Sequence, residues 1–285
     1  LTSQPCSDKV LFMDFTLIER AVNLLLGAKH AVVLTGAGIS TESGVPDFRS
    51  PGGIWERYDF TIFFYARFLA EPGLVWKTML DMNSSGEFAL WEAKPNQGHL
   101  ALAFFEQIGL IKAVITQNID NLHQKAGSRN VIEFHGNMLF AKCMKCGRKY
   151  GYEQLMEMTL EKTLLPPLCH CGGVLKPDAV FFGEAIPQDA LRESFQHAED
   201  CDLMLVIGTS AQVEPAASLP LIAKGLSHFR GMGSIILPKV NCQVIEINRE
   251  PTPLTGEVSD FLIQGSAGEI LSFMEQKVKE RKRIP

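Results

Sequence analysis

Ala31-Val32-Val33-Leu34-Thr35-Gly36-Ala37-Gly38-Ile39-Ser40 decides how this 285-residue chain is built. An uncharged, partly β-branched run that passes directly into Gly-x-Gly has the composition of a strand buried on both faces and ended by a tight turn. In a parallel sheet such turns lie at the carboxyl edge, where ligands bind. Gly36 and Gly38 would let the backbone turn sharply and approach a pyrophosphate. The turn is not a hydride-transfer fingerprint, because the third glycine position of G-x-G-x-x-G is Thr41. Asp47, Phe48 and Arg49 follow instead, placing an acceptor, a flat apolar face and a permanent cation within one turn. Gly36, Ala37, Gly38, Ile39, Thr41, Asp47, Phe48 and Arg49 are therefore candidate dinucleotide contacts.

Working outward, strand-like runs recur at Ile111 to Thr116, Val131 to Phe134, Ala179 to Phe182, Leu203 to Ile207 and Gln243 to Ile247. Helical periodicity marks Phe15 to Leu26, Gln97 to Gln107, Gln188 to His197, Ala216 to Lys224 and Ala267 to Glu280. The alternation predicts an α/β fold: a Rossmann-like parallel sheet covered by helices on both faces. Two segments break the rhythm, an aromatic-rich helical stretch over 53–94 and a cysteine-bearing stretch over 142–174. They are expected to form a small second domain, a helical module plus a zinc ribbon, leaving 1–52, 95–141 and 175–285 as the sheet domain. A cleft between the two would suit a ligand.

Hydrophobic residues make up 46% and charged residues 21% of the chain, as in ordinary globular proteins. A net charge of −5 gives no electrostatic reason to expect nucleic-acid binding. No uncharged apolar run is long enough to span a membrane. Leu1 to Asp8 lacks a signal-peptide pattern, so a cytoplasmic location is expected. Four of seven cysteines cluster as Cys143-x-x-Cys146 and Cys169-x-Cys171. That spacing can supply four thiolates to one tetrahedral Zn²⁺. The second pair is one residue short of the usual knuckle, which leaves open whether His170 replaces one sulfur.

Taken in order, Gly36 to Ser40, Gly44 to Ser50, Thr116 to Asp120, His135-Gly136, the cysteine pairs, Val180 to Glu184, Gly208-Thr209-Ser210, Pro215 to Ala217 and Ile247-Asn248 resemble the sirtuins, the NAD-dependent protein lysine deacylases. The resemblance runs from about Ala31 to Glu269 and is greatest to bacterial and archaeal members. It implies NAD and Zn²⁺ as cofactors, an acyl-lysine protein or peptide as partner, and acyl transfer from lysine to ADP-ribose with release of nicotinamide. His135 would be the general base, with an unperturbed pKa of about 6.5 suited to that role. Asn118 and Asp120, with neighbouring Gln117 and Ile119, would hold the nicotinamide ribose and carboxamide. Phe48 would cover the ribose and Arg49 would pair with the pyrophosphate. Gly208, Thr209 and Ser210 would meet phosphate, Asn248 the adenosine ribose, and Ala267 the adenine. Val180, Phe182, Gly183 and Glu184, facing Ala211 to Val213, would flank an extended peptide. His30, His99, His123, His170, His197 and His228 are expected to be surface or core residues.

Sirtuins that prefer acidic acyl groups carry Tyr and Arg three apart, at places that fall on Met79 and Met82 here. A neutral acyl group, acetyl or longer, is therefore expected. The stretch Gly225 to Asn241 is longer than the family usually places there. A mono-ADP-ribosyltransferase and a non-catalytic zinc-containing interaction module stand as alternatives.

Overall fold

The computed structural model describes residues 13–47, 53–84, 90, 92–159, 165–226 and 242–284. Phe48, Arg49 and most of the long 225–241 stretch lie outside the described residues. Nine strands are described: β1 (Ala31–Thr35), β2 (Ile111–Thr116), β3 (Val131–Glu133), β4 (Gly136–Cys143), β5 (Lys149–Gly151), β6 (Leu175–Ala179), β7 (Leu203–Ile207), β8 (Gln243–Asn248) and β9 (Phe261–Gln264). Six of them form a sheet in the order β3-β2-β1-β7-β8-β9, and every pairing in it is parallel. The chain winds outward from β1 in one direction and from β7 in the other, so the switch point lies between those two strands.

Burial explains why β1 reads as an unbroken apolar run. Ala31 and Val33 face a cluster with Ile18, Leu25, Phe105 and Met274 from the helices Phe15–Gly27, Gln97–Gln107 and Ala267–Lys282. Val32 and Leu34 face a second cluster with Phe195 and Leu219 from the helices Gln188–Asp200 and Leu219–Ala223. All five β1 residues are fully buried. Both faces of the sheet are thus covered, as expected.

Ala179 to Phe182 is not a strand of the parallel sheet. β6 ends at Ala179 and pairs antiparallel with β4 in a separate three-stranded sheet, β5-β4-β6. The apolar run continues past β6 and contributes only a bridge between Phe182 and Phe64. Burial against a cavity wall, rather than a ladder, produced its apolar character. A third apolar cluster unites Phe68, Trp76, Met79 and Met82, from the helices Tyr65–Ala70 and Pro72–Ser84, with Tyr150, Leu155 and Leu175. Among the described residues, no helix is long and apolar enough to cross a membrane.

At the switch point two backbone turns press together. Gly36 donates its N–H to Ile207 O at 3.0 Å, and Gly38 donates to Gly208 O at 2.7 Å. A Cβ on Gly38 would sit 2.7 Å from Gly208 Cα, and Gly208 itself has φ +60°. The Gly-x-Gly pair is therefore required first by contact between two loops of the protein. Gly38→Ala is expected to force these turns apart and lower unfolding free energy by about 2 kcal/mol, measured by urea denaturation; an unchanged midpoint would show that the turns can part freely.

Candidate active site

A cavity of about 1300 Å³ opens along the carboxyl ends of β1, β2, β7 and β8. Gly36, Ala37, Gly38, Thr41, Asp47, Gln117, Asn118 and Ile119 line it, together with His135, Gly208, Thr209, Ser210, Asn248 and Ala267. Val180, Phe182, Gly183, Glu184 and Val213 form further wall. Two expected contacts are not on this surface. Ile39 is fully buried in the core beside Val33, because the turn after Gly38 directs its side chain under the sheet edge. Asp120 is only 3% exposed, and its carboxylate accepts from Ser40 Oγ at 2.7 Å and from the Leu122 N–H at 2.9 Å.

Ser40 joins Asp120 to the cavity. Its hydroxyl donates to Asp120 and accepts from Asn118 Nδ2 at 3.0 Å. His99 Nδ1 accepts the Asn96 N–H at 3.3 Å, so its proton sits on Nε2, 3.4 Å from Ser40 Oγ. Desolvation holds the His99 pKa down at about 4, which keeps the ring a neutral donor. His123 packs edge-on against it, with centroids 4.9 Å apart. Burial, and secondarily His99, also push His123 well below the usual imidazole range. Thr35 Oγ1 lies 3.0 Å from His123 Nε2 and donates to Thr116 Oγ1, which accepts the Asn118 N–H. Burial raises the Asp120 pKa, opposed by the Leu122 and Ser40 hydrogen bonds. Asn118 is thereby gripped at both side chain and backbone. His99 and His123 are core residues as expected, but sequence spacing gave no sign that they would stand behind Asn118. Ser40, inside the Gly36 to Ser40 motif, could have been flagged by its position.

His135 occupies the rim, next to Gly136 at φ +75°, where a Cβ would fall 1.9 Å from Asp178 O. Its Nδ1 lies 3.0 Å from Gln117 O. A carbonyl can only accept, so Nδ1 carries the proton and Nε2 holds the lone pair. Desolvation lowers the His135 pKa, partly offset by that hydrogen bond. Further along, Gln117 Nε2 donates to Thr209 Oγ1 at 2.9 Å and Asn248 Nδ2 donates to Thr209 O at 3.0 Å. This row ties the ends of β2, β7 and β8 together. Ser210 caps no helix, since the next helical turn starts at Ala216.

The opposite wall is anchored through Glu184. Its carboxylate accepts from Lys176 Nζ and from the Phe181 N–H, both at 3.0 Å. Met79 and Met82, from the helix Pro72–Ser84, reach the same cavity beside Phe63 and Met138. These four are uncharged, while Arg57 and Arg249 also line the cavity.

The four clustered cysteines converge, and His170 is not one of the group. Their sulfurs lie within 4.8 Å of one another, with Cys143 to Cys171 at 3.5 Å and Cys146 to Cys169 at 3.6 Å. Zn–S bonds of about 2.3 Å in a tetrahedron place sulfurs about 3.8 Å apart. The donor set fits Zn²⁺ with no position left for a reacting water, which makes it structural. Metal analysis of purified protein should find stoichiometric zinc, and Cys171→Ser should lower both zinc content and melting temperature. Full zinc retention in that variant would remove Cys171 from the ligand set.

Residues 36–215 match the Sir2 family. An NAD-dependent protein deacylase 2 of Pyrobaculum aerophilum is 43% identical over 263 residues, covering 92% of this chain and 96% of that protein. An NAD-dependent protein deacylase of Thermococcus sibiricus is 41% identical, covering 92% and 97%. Among solved structures, Sir2 with a p53 peptide and NAD⁺ superposes with a TM-score of 0.76 at 36% identity, covering 94% of this chain and 99% of its own. Gly-x-Gly loop, Asn118 hub, His135 rim and cysteine cluster thus occur in a chain whose likeness to these proteins extends over nearly its whole length, and it belongs to the Sir2 family.

Proposed function

We propose that this chain is an NAD-dependent protein lysine deacylase, with a neutral acyl group as its preferred cargo. NAD supplies a nicotinamide-bearing ribose carbon that an amide oxygen can attack, and the protein's own share is positioning and proton transfer. The single observation that carries the reading is His135, whose Nδ1–H is committed to Gln117 O, leaving Nε2 as a base at the cavity rim. Asn118 is assigned to the nicotinamide ribose and carboxamide. Asp120, screened from the cavity, is assigned a positioning role through Ser40. Thr209, Ser210 and Asn248 are assigned to the phosphates and adenosine, and Val180 to Glu184 with Val213 to the peptide. We also read the chain as two units, with 53–94 and 142–174 in the smaller one as the sequence suggests; the antiparallel pairing of β4 with β6 extends that unit to Gly136 and Ala179. The support is the two segments' common apolar cluster and the Trp76 indole, which donates to Leu175 O at 2.7 Å.

His135→Ala is expected to retain NAD binding and to reduce deacylation by about 100-fold or more. Because burial favours the neutral ring, the base works above its own pKa and fails as protons are added. The acid limb of kcat/KM should accordingly have its midpoint below about 6.5. Nicotinamide release that proceeds equally without acyl-peptide would refute the reading. In the acyl pocket, the buried Met79 and Met82 offer no partner for a carboxylate. Acetyl- and longer neutral acyl-lysine peptides should turn over faster than succinyl-lysine peptides; the reverse order, measured by mass spectrometry, would overturn the neutral-acyl assignment.

A further inference from the structure

Glu246 is fully buried on β8, the strand next to the sheet's edge, between Val206 of β7 and Leu262 of β9. A carboxylate in such a place is costly unless hydrogen bonds replace its water. Its hydrogen-bond partners among the described residues are three hydroxyls, all from the loop that joins β8 to β9. Thr252 Oγ1 donates to Oε2, while Thr255 Oγ1 and Ser259 Oγ donate to Oε1 at 2.7 and 2.6 Å. All three hydroxyls also meet the loop's own backbone, Ser259 Oγ lying 3.1 Å from Leu254 O. Thr255 Oγ1 accepts the Thr252 N–H and Thr252 Oγ1 accepts the Leu254 N–H, each at 3.0 Å.

The first half of this loop, Arg249 to Pro253, lines the cavity directly after Asn248. The second half, which carries Thr255 and Ser259, has a second anchor, since Leu254 and Val258 are buried in the apolar cluster beneath it. Removing Glu246 would therefore leave the loop attached while freeing the half that faces the ligand. A glutamine at this position could not serve all three donors as a carboxylate does, because its NH₂ group only donates.

We propose that Glu246 is a positioning residue for the adenosine end of the dinucleotide site, acting through Thr252 and Thr255 to set the Arg249 to Pro253 wall. The inference rests on the NAD-dependent reading above. Glu246 touches no ligand itself, so its influence falls on dinucleotide affinity and not on the acyl-transfer steps at His135.

The test compares wild type with Glu246→Gln and Thr255→Val, using ADP-ribose as the probe in calorimetry and NAD and acetyl-peptide in steady-state assays. Glu246→Gln should weaken ADP-ribose binding and raise the NAD KM by about tenfold, with kcat and peptide KM within about twofold of wild type. Thr255→Val, which deletes one donor from the loop, should shift the same two quantities in the same direction by a smaller factor. A purely structural role would lower the melting temperature without this KM-against-kcat split. If Glu246→Gln does not fold, Thr255→Val alone decides. Unchanged ADP-ribose affinity in the folded variants, or a fall in kcat at constant NAD KM, overturns the role of Glu246 and leaves the deacylase reading standing. Failure of wild type to bind ADP-ribose would overturn the NAD-dependent reading and this proposal with it.

Discussion

Contact between two backbone turns, Gly36 to Gly38 after β1 and Gly208 after β7, is the constraint on which the rest of the molecule depends. Parallel strands on either side of a switch point diverge in their connections, and the crevice between them is where a ligand enters. Here the crevice floor is closed by main chain, with Gly38 donating to Gly208 O at 2.7 Å. Side chains at these positions would lift one turn off the other by the width of a methyl group. Thr209, Gln117 and Asn248 could not then share hydrogen bonds across the ends of β7, β2 and β8. The cavity's shape is a consequence of how closely two strands' exits can pass.

From that floor the order propagates inward through neutral groups. Ser40 holds Asn118 because it can accept from the amide and donate to Asp120 at once. His99 supports the same oxygen only while uncharged, since protonation of Nδ1 would displace the Asn96 N–H that it accepts. The low pKa imposed by burial is thus compatible with the geometry. A charged imidazole there would be both desolvated and missing its acceptor role. His135 differs in that Nδ1 is committed to a carbonyl, and Nε2 is the nitrogen assigned above to proton transfer.

Much of this is legible in the sequence. Five of the six expected strands match, most plainly β1 and β7, whose residues are buried on both faces and so form unbroken apolar runs. The same cue misled at Ala179 to Phe182, where a cavity wall and a sheet interior demand the same apolar residues. β9 was not anticipated: at the sheet edge, Phe261 and Leu262 are only partly buried and Gln264 is exposed. Within the site, residues at strand ends were readable because a strand's exit is local information. Asp120 was expected to hold the nicotinamide ribose and carboxamide with Asn118 because both are polar groups on one strand-end loop, and the Leu122 N–H and Ser40 contacts turn its carboxylate inward. His99 and His123 reach the site from separate segments and meet only after folding.

Two buried carboxylates stand behind opposite ends of the cavity, Asp120 beneath Asn118 and Glu246 beneath the loop after Asn248. Among the described residues, neither has a lysine or arginine as a hydrogen-bond partner; hydroxyls of Ser40, Thr252, Thr255 and Ser259 serve instead. An ion pair would satisfy a carboxylate more strongly, but it desolvates a second charge and ends the chain of hydrogen bonds at a group that only donates. A hydroxyl donates inward and still accepts from an amide on its outer side. Ser40 does this for Asn118, and Thr252 and Thr255 do it for the loop backbone. The buried negative charge is thereby converted into directional restraint on groups that face the ligand. Lys176 and Glu184, near the peptide wall, show the other solution at a rim where water still reaches both partners, with side chains 11% and 20% exposed. Depth therefore decides the chemistry of support: hydroxyl relays under the end of the cavity proposed for the dinucleotide, an ion pair at the edge proposed for the acyl-peptide.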